Sequence, residues 1–152
     1  MDSKKTISVL DDLIEVCRDG QNGLKEAANQ VTAPDIKTFL NQAVTDRSQL
    51  VSELEAEVRK LGGNPSKTGS TANALHRAWL NIKGTLAGKT DPVVLRECER
   101  GEESTVAAYK NALKSENLPG NVLAIVERQY QVVQRVHDRL KQMREAKTAS
   151  AR

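Results

Sequence analysis

Aromatic side chains are nearly missing from this chain: one Phe, one Trp and two Tyr among 152 residues. Strand-rich domains lean on aromatic and β-branched residues to cover a pleated surface, so the shortage argues against a sandwich or barrel. Cysteine is almost as sparse. Cys17 and Cys98 are too few for a disulfide-stapled scaffold, and each falls on an apolar helical stripe, which reads as a buried free thiol. No apolar run approaches the roughly 18 residues that suggest a membrane span. The start, Met1-Asp2-Ser3-Lys4-Lys5, leads into an amphipathic segment without the continuous apolar region of a secretory leader. The expectation is a cytoplasmic chain with no membrane partner. A large charge of one sign is lacking too: 23 basic and 20 acidic residues leave a formal +3, mostly interspersed, so no nucleic-acid partner is expected.

What is present suits helices: abundant Ala, Leu, Glu, Lys, Arg and Gln, with charged residues at 28%. The length fits one domain able to bury a core without staples. We assign that domain to residues 1–147 and read 148–152 as a disordered tail. From Thr6 to about Asn29, Leu10, Leu13, Ile14, Cys17, Leu24, Ala27 and Ala28 recur on one helical face. A short link at residues 31–33 precedes Pro34-Asp35, an N-terminal signature, and a second helix running to about Leu61 with Ile36, Phe39, Leu40, Ala43, Leu50, Leu54, Val58 and Leu61 inward. Gly62-Gly63-Asn64-Pro65 stops it as a glycine cap followed by proline should. Residues 62–71 read as a linker, without the Gly-Lys-Ser/Thr ending of a phosphate loop, and 72–86 as a short helix offering Trp79 and Leu86 to the core. Asp91-Pro92 opens the next long helix, with Asp91 as its cap. After the break at Asn117-Leu118-Pro119-Gly120, a last helix runs from about Asn121 to Glu145 with Leu123, Val126, Tyr130, Val133, His137, Leu140 and Arg144 inward. Two antiparallel hairpins joined by a crossover at 62–91 give an all-α, ferritin-like four-helix bundle.

Polar residues interrupt the middle of each hairpin. In the second, reflection about the loop places Glu102 opposite Gln134 and Glu99 opposite His137, to within about one turn. In the first, Asp19 to Gln21 lie opposite Thr45 to Gln49. Polar groups inside a bundle cost free energy unless they find hydrogen-bond or metal partners. One reading is a hydrogen-bonded layer in which Glu99 and Glu102 accept from His137, Arg47 and Tyr130. Another is a dinuclear iron or manganese centre, for which the candidate metal ligands are Asp19, Asp46, Glu99, Glu102 and His137. Bundles of that kind use a Glu from each of two helices and a Glu-x-x-His pair from each of the others. This chain has no Glu-x-x-His; the nearest approximations are Asp46-x-x-Gln49 and Gln134-x-x-His137. The third reading rotates a helix by one position, leaving these residues along a solvated groove. His76 and Trp79, one turn apart, read as a lid or, for Trp79, as an ordinary core residue. There is no nucleophile, base and acid at interpretable spacing.

Five segments in order, "LDDLIEVCRDGQNGLKEAA", "LVSELEAEVRKLGGNP", "ALHRAW", "ERGEE" and "ERQYQVVQRVHDRL", resemble a bacterial group of small ferritin-like four-helix-bundle proteins of unknown function. The resemblance implies the fold and a loose kinship with ferritins, rubrerythrins and stress-associated bundle proteins. The expected function is a structural or interaction role, linked to stress by the resemblance alone. No cofactor is expected on that reading. The alternative is a divergent dinuclear oxidase or peroxidase, and a homodimer or other homo-oligomer is the expected assembly.

Overall fold

The computed structural model describes residues 3–65, 79, 86–115 and 118–150. Four long helices account for nearly all of these: α1 (Ser3–Gln30), α2 (Pro34–Lys60), α3 (Asp91–Lys114) and α4 (Gly120–Ser150). Among the described residues there is no strand. The expected short helix at 72–86, apart from Trp79 and Leu86, lies outside the described residues, as do His76 and the end of the tail at 151–152. Helix α4 continues past residue 147 to Ser150, a stretch rich in Ala and Lys that favours helix.

Local chemistry explains the boundaries. Pro34 stands in the first turn of α2 with Asp35 beside it, and Arg59 and Lys60 occupy the last turn, each charge matched to the helix dipole. The end of α2 is a Schellman motif: Gly62 has φ 86°, its N–H donates to the Arg59 carbonyl at 3.0 Å, and the Gly63 N–H reaches back to the Val58 carbonyl at 3.0 Å. At α3 the cap differs from the sequence reading. Thr90 is the residue before the helix and Asp91 its first residue. The Asp91 carboxylate instead crosses to the α1–α2 reversal, accepting from the Thr32 N–H at 2.9 Å, the Ala33 N–H at 3.0 Å and the Thr32 hydroxyl at 3.1 Å. One carboxylate therefore ties the start of the second hairpin to the bend of the first.

The cross-helix contacts fix the arrangement. Helix α1 neighbours α2 and α3, and α4 neighbours α3 and, more sparsely, α2. Along every neighbouring pair the residue numbers run in opposite directions: Cys17 meets Tyr109 and Thr32 meets Asp91, while Leu50 meets Gln129 and Glu57 meets Asn121. Helices α2 and α3 are thus parallel and diagonal, which requires the long crossover predicted from sequence. All seven residues assigned inward on the first helix are buried. The phase of α4 is rotated relative to expectation. Its buried stripe is Val122, Val126, Gln129, Val133, Val136, Leu140 and Met143. Leu123, Tyr130, His137 and Arg144 fall on the flank, each only partly covered. No helix of the described residues is long and apolar enough to cross a membrane.

Burial alone would raise the Asp91 carboxyl; the donors from Thr32 and Ala33, with Lys147 further off, outweigh it and hold the group below its ordinary value of 3.8. A depressed carboxylate contributes stability that is complete above the unfolded-state pKa and is lost as pH falls through the folded one. Urea denaturation of Asp91→Asn should show a loss of about 1–3 kcal/mol at pH 7. Below pH 3.8 that gap should narrow, because the parent protein loses the contribution as well.

Candidate functional site

The centre of the bundle holds a charged pair, at the polar interruption that the sequence places midway along the hairpins. Arg47 on α2 and Glu102 on α3 meet across the diagonal, the guanidinium fork donating from Nη1 at 3.0 Å and from Nη2 to the second carboxylate oxygen. Their side chains are 1% and 0% exposed, so the pair is sealed from water. Arg47 stands with Tyr109 among the largest fully buried side chains. Burial opposes the Arg47 charge, yet Glu102 at bonding distance more than offsets it and drives the guanidinium further above its already high value. A bidentate contact of this kind satisfies both carboxylate oxygens and two guanidinium nitrogens.

Beside the ion pair, a second polar chain touches all four helices. Tyr109 on α3 donates its hydroxyl to the Gln129 Oε1 of α4 at 2.6 Å. The Cys17 Sγ of α1 lies 3.2 Å from the same hydroxyl; since the phenol proton is committed to Gln129, the thiol is the donor here. Gln129 Nε2 in turn donates to the Leu50 carbonyl of α2 at 3.3 Å and to Glu53 at 2.7 Å. Burial pushes the Cys17 thiol up, with Arg47 pulling the other way, and raises the Tyr109 phenol as well. Both cysteines are free, buried and protonated at neutral pH, so neither has the character of a nucleophile.

Two glycines make room for Trp79 against this layer, and a third makes room for Arg47. A Cβ on Gly23 of α1 falls 2.8 Å from the indole Cζ3, and one on Gly101 of α3 falls 2.7 Å from Cδ2. A Cβ on Gly20 lies 2.6 Å from Arg47 Nη1 and 3.4 Å from the indole. The ring therefore lies over the α1–α3 seam, in contact distance of helix backbone, and its Nε1–H donates to the Thr105 Oγ1 at 2.8 Å. Trp79 is 3% exposed. It is a core residue.

Of the five sequence-predicted ligands, Glu99 and His137 come together on the α3–α4 seam and the other three lie apart from them. Glu102 is taken by Arg47. Glu99 accepts from the Arg144 Nε at 2.5 Å and, more loosely, from Nη2 at 3.4 Å. Asp46 is half-buried and accepts from Gln42, one turn earlier. Asp19 is buried on α1 beside Trp79 and Gly23. His137 faces Glu103, not Glu102: Nε2 is 3.5 Å from the Glu103 Oε1 and Nδ1 is 3.1 Å from the Asp138 Oδ1. The rotated phase of α4 sets His137 on the outer flank, where Glu103 joins Glu99 in facing it. Among the described residues, the histidine, cysteine and acidic side chains that gather within 4.8 Å are Glu99, Glu103 and His137. A dinuclear cation centre does not fit the middle of the bundle as built. Arg47 already supplies the positive charge that Glu102 would offer to metal, and a guanidinium so close repels two further cations. Tyr130, expected as a donor to the acids, bonds Gln134 on its own helix at 3.3 Å. Sequence reasoning named Arg47 as a partner of Glu102 but missed Gln129, Thr105 and Arg144. The heptad spacing of Gln129 with Val122, Val126 and Val133 was the signal for the first.

Residues 5–115 match the family model described as a Domain of unknown function (DUF2383). No curated protein matches the sequence. Among solved structures, the chain is similar to a two-domain protein from Anabaena variabilis ATCC 29413 containing dj-1/thij/pfpi-like and ferritin-like domains, with a TM-score of 0.78 and 15% identity. The likeness covers 98% of this chain and 38% of that one, so this chain spans well under half the length of its neighbour. At such identity the likeness speaks to fold alone, and that fold is ferritin-like.

Trp79 is the one tryptophan in the sequence, so its emission reports on the niche directly. Gly23→Ala and Gly101→Ala should each red-shift the fluorescence as the ring is forced toward solvent, and lower stability by about 1–3 kcal/mol from overpacking. Gly62→Ala, away from the niche with open space around its Cβ, should leave the emission maximum in place while costing about 1 kcal/mol for its positive φ. Fluorescence with urea titration checks all three.

Proposed function

The chain belongs to the DUF2383 family, a domain of unknown function, and from that premise we propose that it serves as a structural or interaction module on a ferritin-like bundle, in place of dinuclear oxidase chemistry. The supporting observation is the Arg47–Glu102 pair on the bundle diagonal. Inward carboxylates in a dinuclear bundle must be free to bridge cations; here the central one is bound on both oxygens by a guanidinium. The remaining mid-bundle groups, Cys17, Tyr109, Gln129 and Thr105, bond one another or Trp79, and so act in holding helices in register. Buried polar contacts of this sort favour one helix arrangement over its alternatives.

An interaction role asks for a surface, and the long outer faces of α2 and α4 carry interspersed charges such as Glu53, Arg128 and Arg135 along a groove between them. Self-association through helix faces is the assembly we assign, since bundles of this class pair readily by two-fold symmetry. The sequence resemblance supports a bacterial setting with a link to stress.

Two measurements on the purified full chain test this reading. Anaerobic addition of ferrous iron followed by oxygen should give no oxygen consumption above the protein-free rate, and light scattering over a concentration series should show a mass above that of one chain. Tight uptake of two iron ions per chain with rapid oxygen consumption would overturn the proposal in favour of the oxidase.

A further inference from the structure

Outside the bundle centre, the α3–α4 seam brings together a different set of groups. Glu99 and Glu103 lie one turn apart on α3, and His137 reaches them from α4, with one ligand-type atom of each within 4.8 Å of the others. The imidazole is oriented: Nδ1 sits 3.1 Å from the Asp138 carboxylate, which accepts its proton and turns Nε2 toward Glu103. Gln134 also donates to that Asp138 oxygen at 3.0 Å, fixing the carboxylate from the preceding turn. The Nε2 to Oε1 separation of 3.5 Å is long for a hydrogen bond. It is close to the edge of a tetrahedron built on metal–ligand bonds of about 2.0–2.1 Å, which is about 3.3 Å.

From this geometry we propose that Glu99, Glu103 and His137 form a mononuclear site for a divalent cation of the zinc class. One imidazole nitrogen and two carboxylate oxygens suit a borderline cation better than magnesium or calcium, which favour all-oxygen shells. Arg144 does not fill the place: it holds the Glu99 Oε1 closely and Oε2 only at 3.4 Å, leaving the second oxygen to turn to a cation. Glu103 is exposed and His137 partly so, and both border a groove of about 290 Å³ with Val106, Ala107, Lys110 and Gln134, which gives the ion a path from solvent and leaves a position for water. Three carboxylates, Glu99, Glu103 and Asp138, against the charges of Arg144 and Lys110 keep the seam negative. The site is separate from the Arg47–Glu102 pair and does not depend on whether the bundle has an interaction role.

The probe is Zn²⁺ alone, added to the full chain and followed by calorimetry, with Co²⁺ absorption to report inner-sphere geometry. One ion per chain should bind with the visible bands of tetrahedral cobalt. His137→Ala and Glu103→Gln should each weaken binding at least tenfold, and Asp138→Asn by about 10-fold or more through the lost orientation of the imidazole. His76→Ala, at the other histidine of the chain, should leave the affinity unchanged. Absence of saturable binding, or binding that follows His76 and ignores His137 and Glu103, overturns the site. Circular dichroism confirms folding of each variant; because Glu103 is exposed, its substitution remains informative even if His137→Ala perturbs the helix.

Discussion

A guanidinium and a carboxylate joined across the diagonal of four helices set the terms for the rest of this molecule. Arg47 and Glu102 come from helices that do not otherwise neighbour each other, and neither retains appreciable contact with water. Removing two charges from water costs several kcal/mol per ion, a cost that Coulomb attraction offsets only when geometry and hydrogen bonding are complete. The bidentate fork meets that condition and in doing so fixes the distance and rotation of α2 against α3. The neighbouring polar groups, Cys17, Tyr109 and Gln129, bond one another in a separate chain beside it.

The glycines make sense in that light. Gly20, Gly23 and Gly101 lie inside helices, where glycine is disfavoured against alanine by roughly 0.5–1 kcal/mol each. They are retained at the points where a Cβ collides with Trp79 or Arg47. The indole fills the seam that they open, with its nitrogen satisfied by Thr105. On the other side, Tyr109 and Gln129 carry hydrogen bonding from α1 through α3 and α4 to α2. A ferritin-like frame thus encloses an organic salt bridge with a tryptophan beside it.

The fold was largely legible because helix ends and apolar periodicity are local signals. Pro34, Gly62 and Pro92 mark boundaries within a residue or two of the observed ones, and the apolar stripe of α1 is correct at every named position. The site was legible only in part, because it depends on helical phase. On α4 the positions 126, 133 and 140 belong equally to two stripes, and the choice between them rests on neighbours. Leu123 and Tyr130 look more apolar than Val122 and Gln129, yet the buried set contains the latter. That one-position rotation moves His137 from the interior to the α3–α4 seam, where Glu103 joins Glu99, the acid that reflection about the loop places opposite it. The Asp91 contact is invisible to sequence for a different reason: it joins segments 58 or 59 residues apart that only the closed bundle brings together.

A double-mutant cycle on Arg47 and Glu102, read by urea denaturation, tests the central claim most directly. Arg47→Met and Glu102→Leu should each cost about 3–5 kcal/mol, since each strands a buried charge, while the double variant should recover most of that loss. Single costs below about 1 kcal/mol that simply add in the double variant would contradict a sealed, mutually dependent pair at the centre of the bundle.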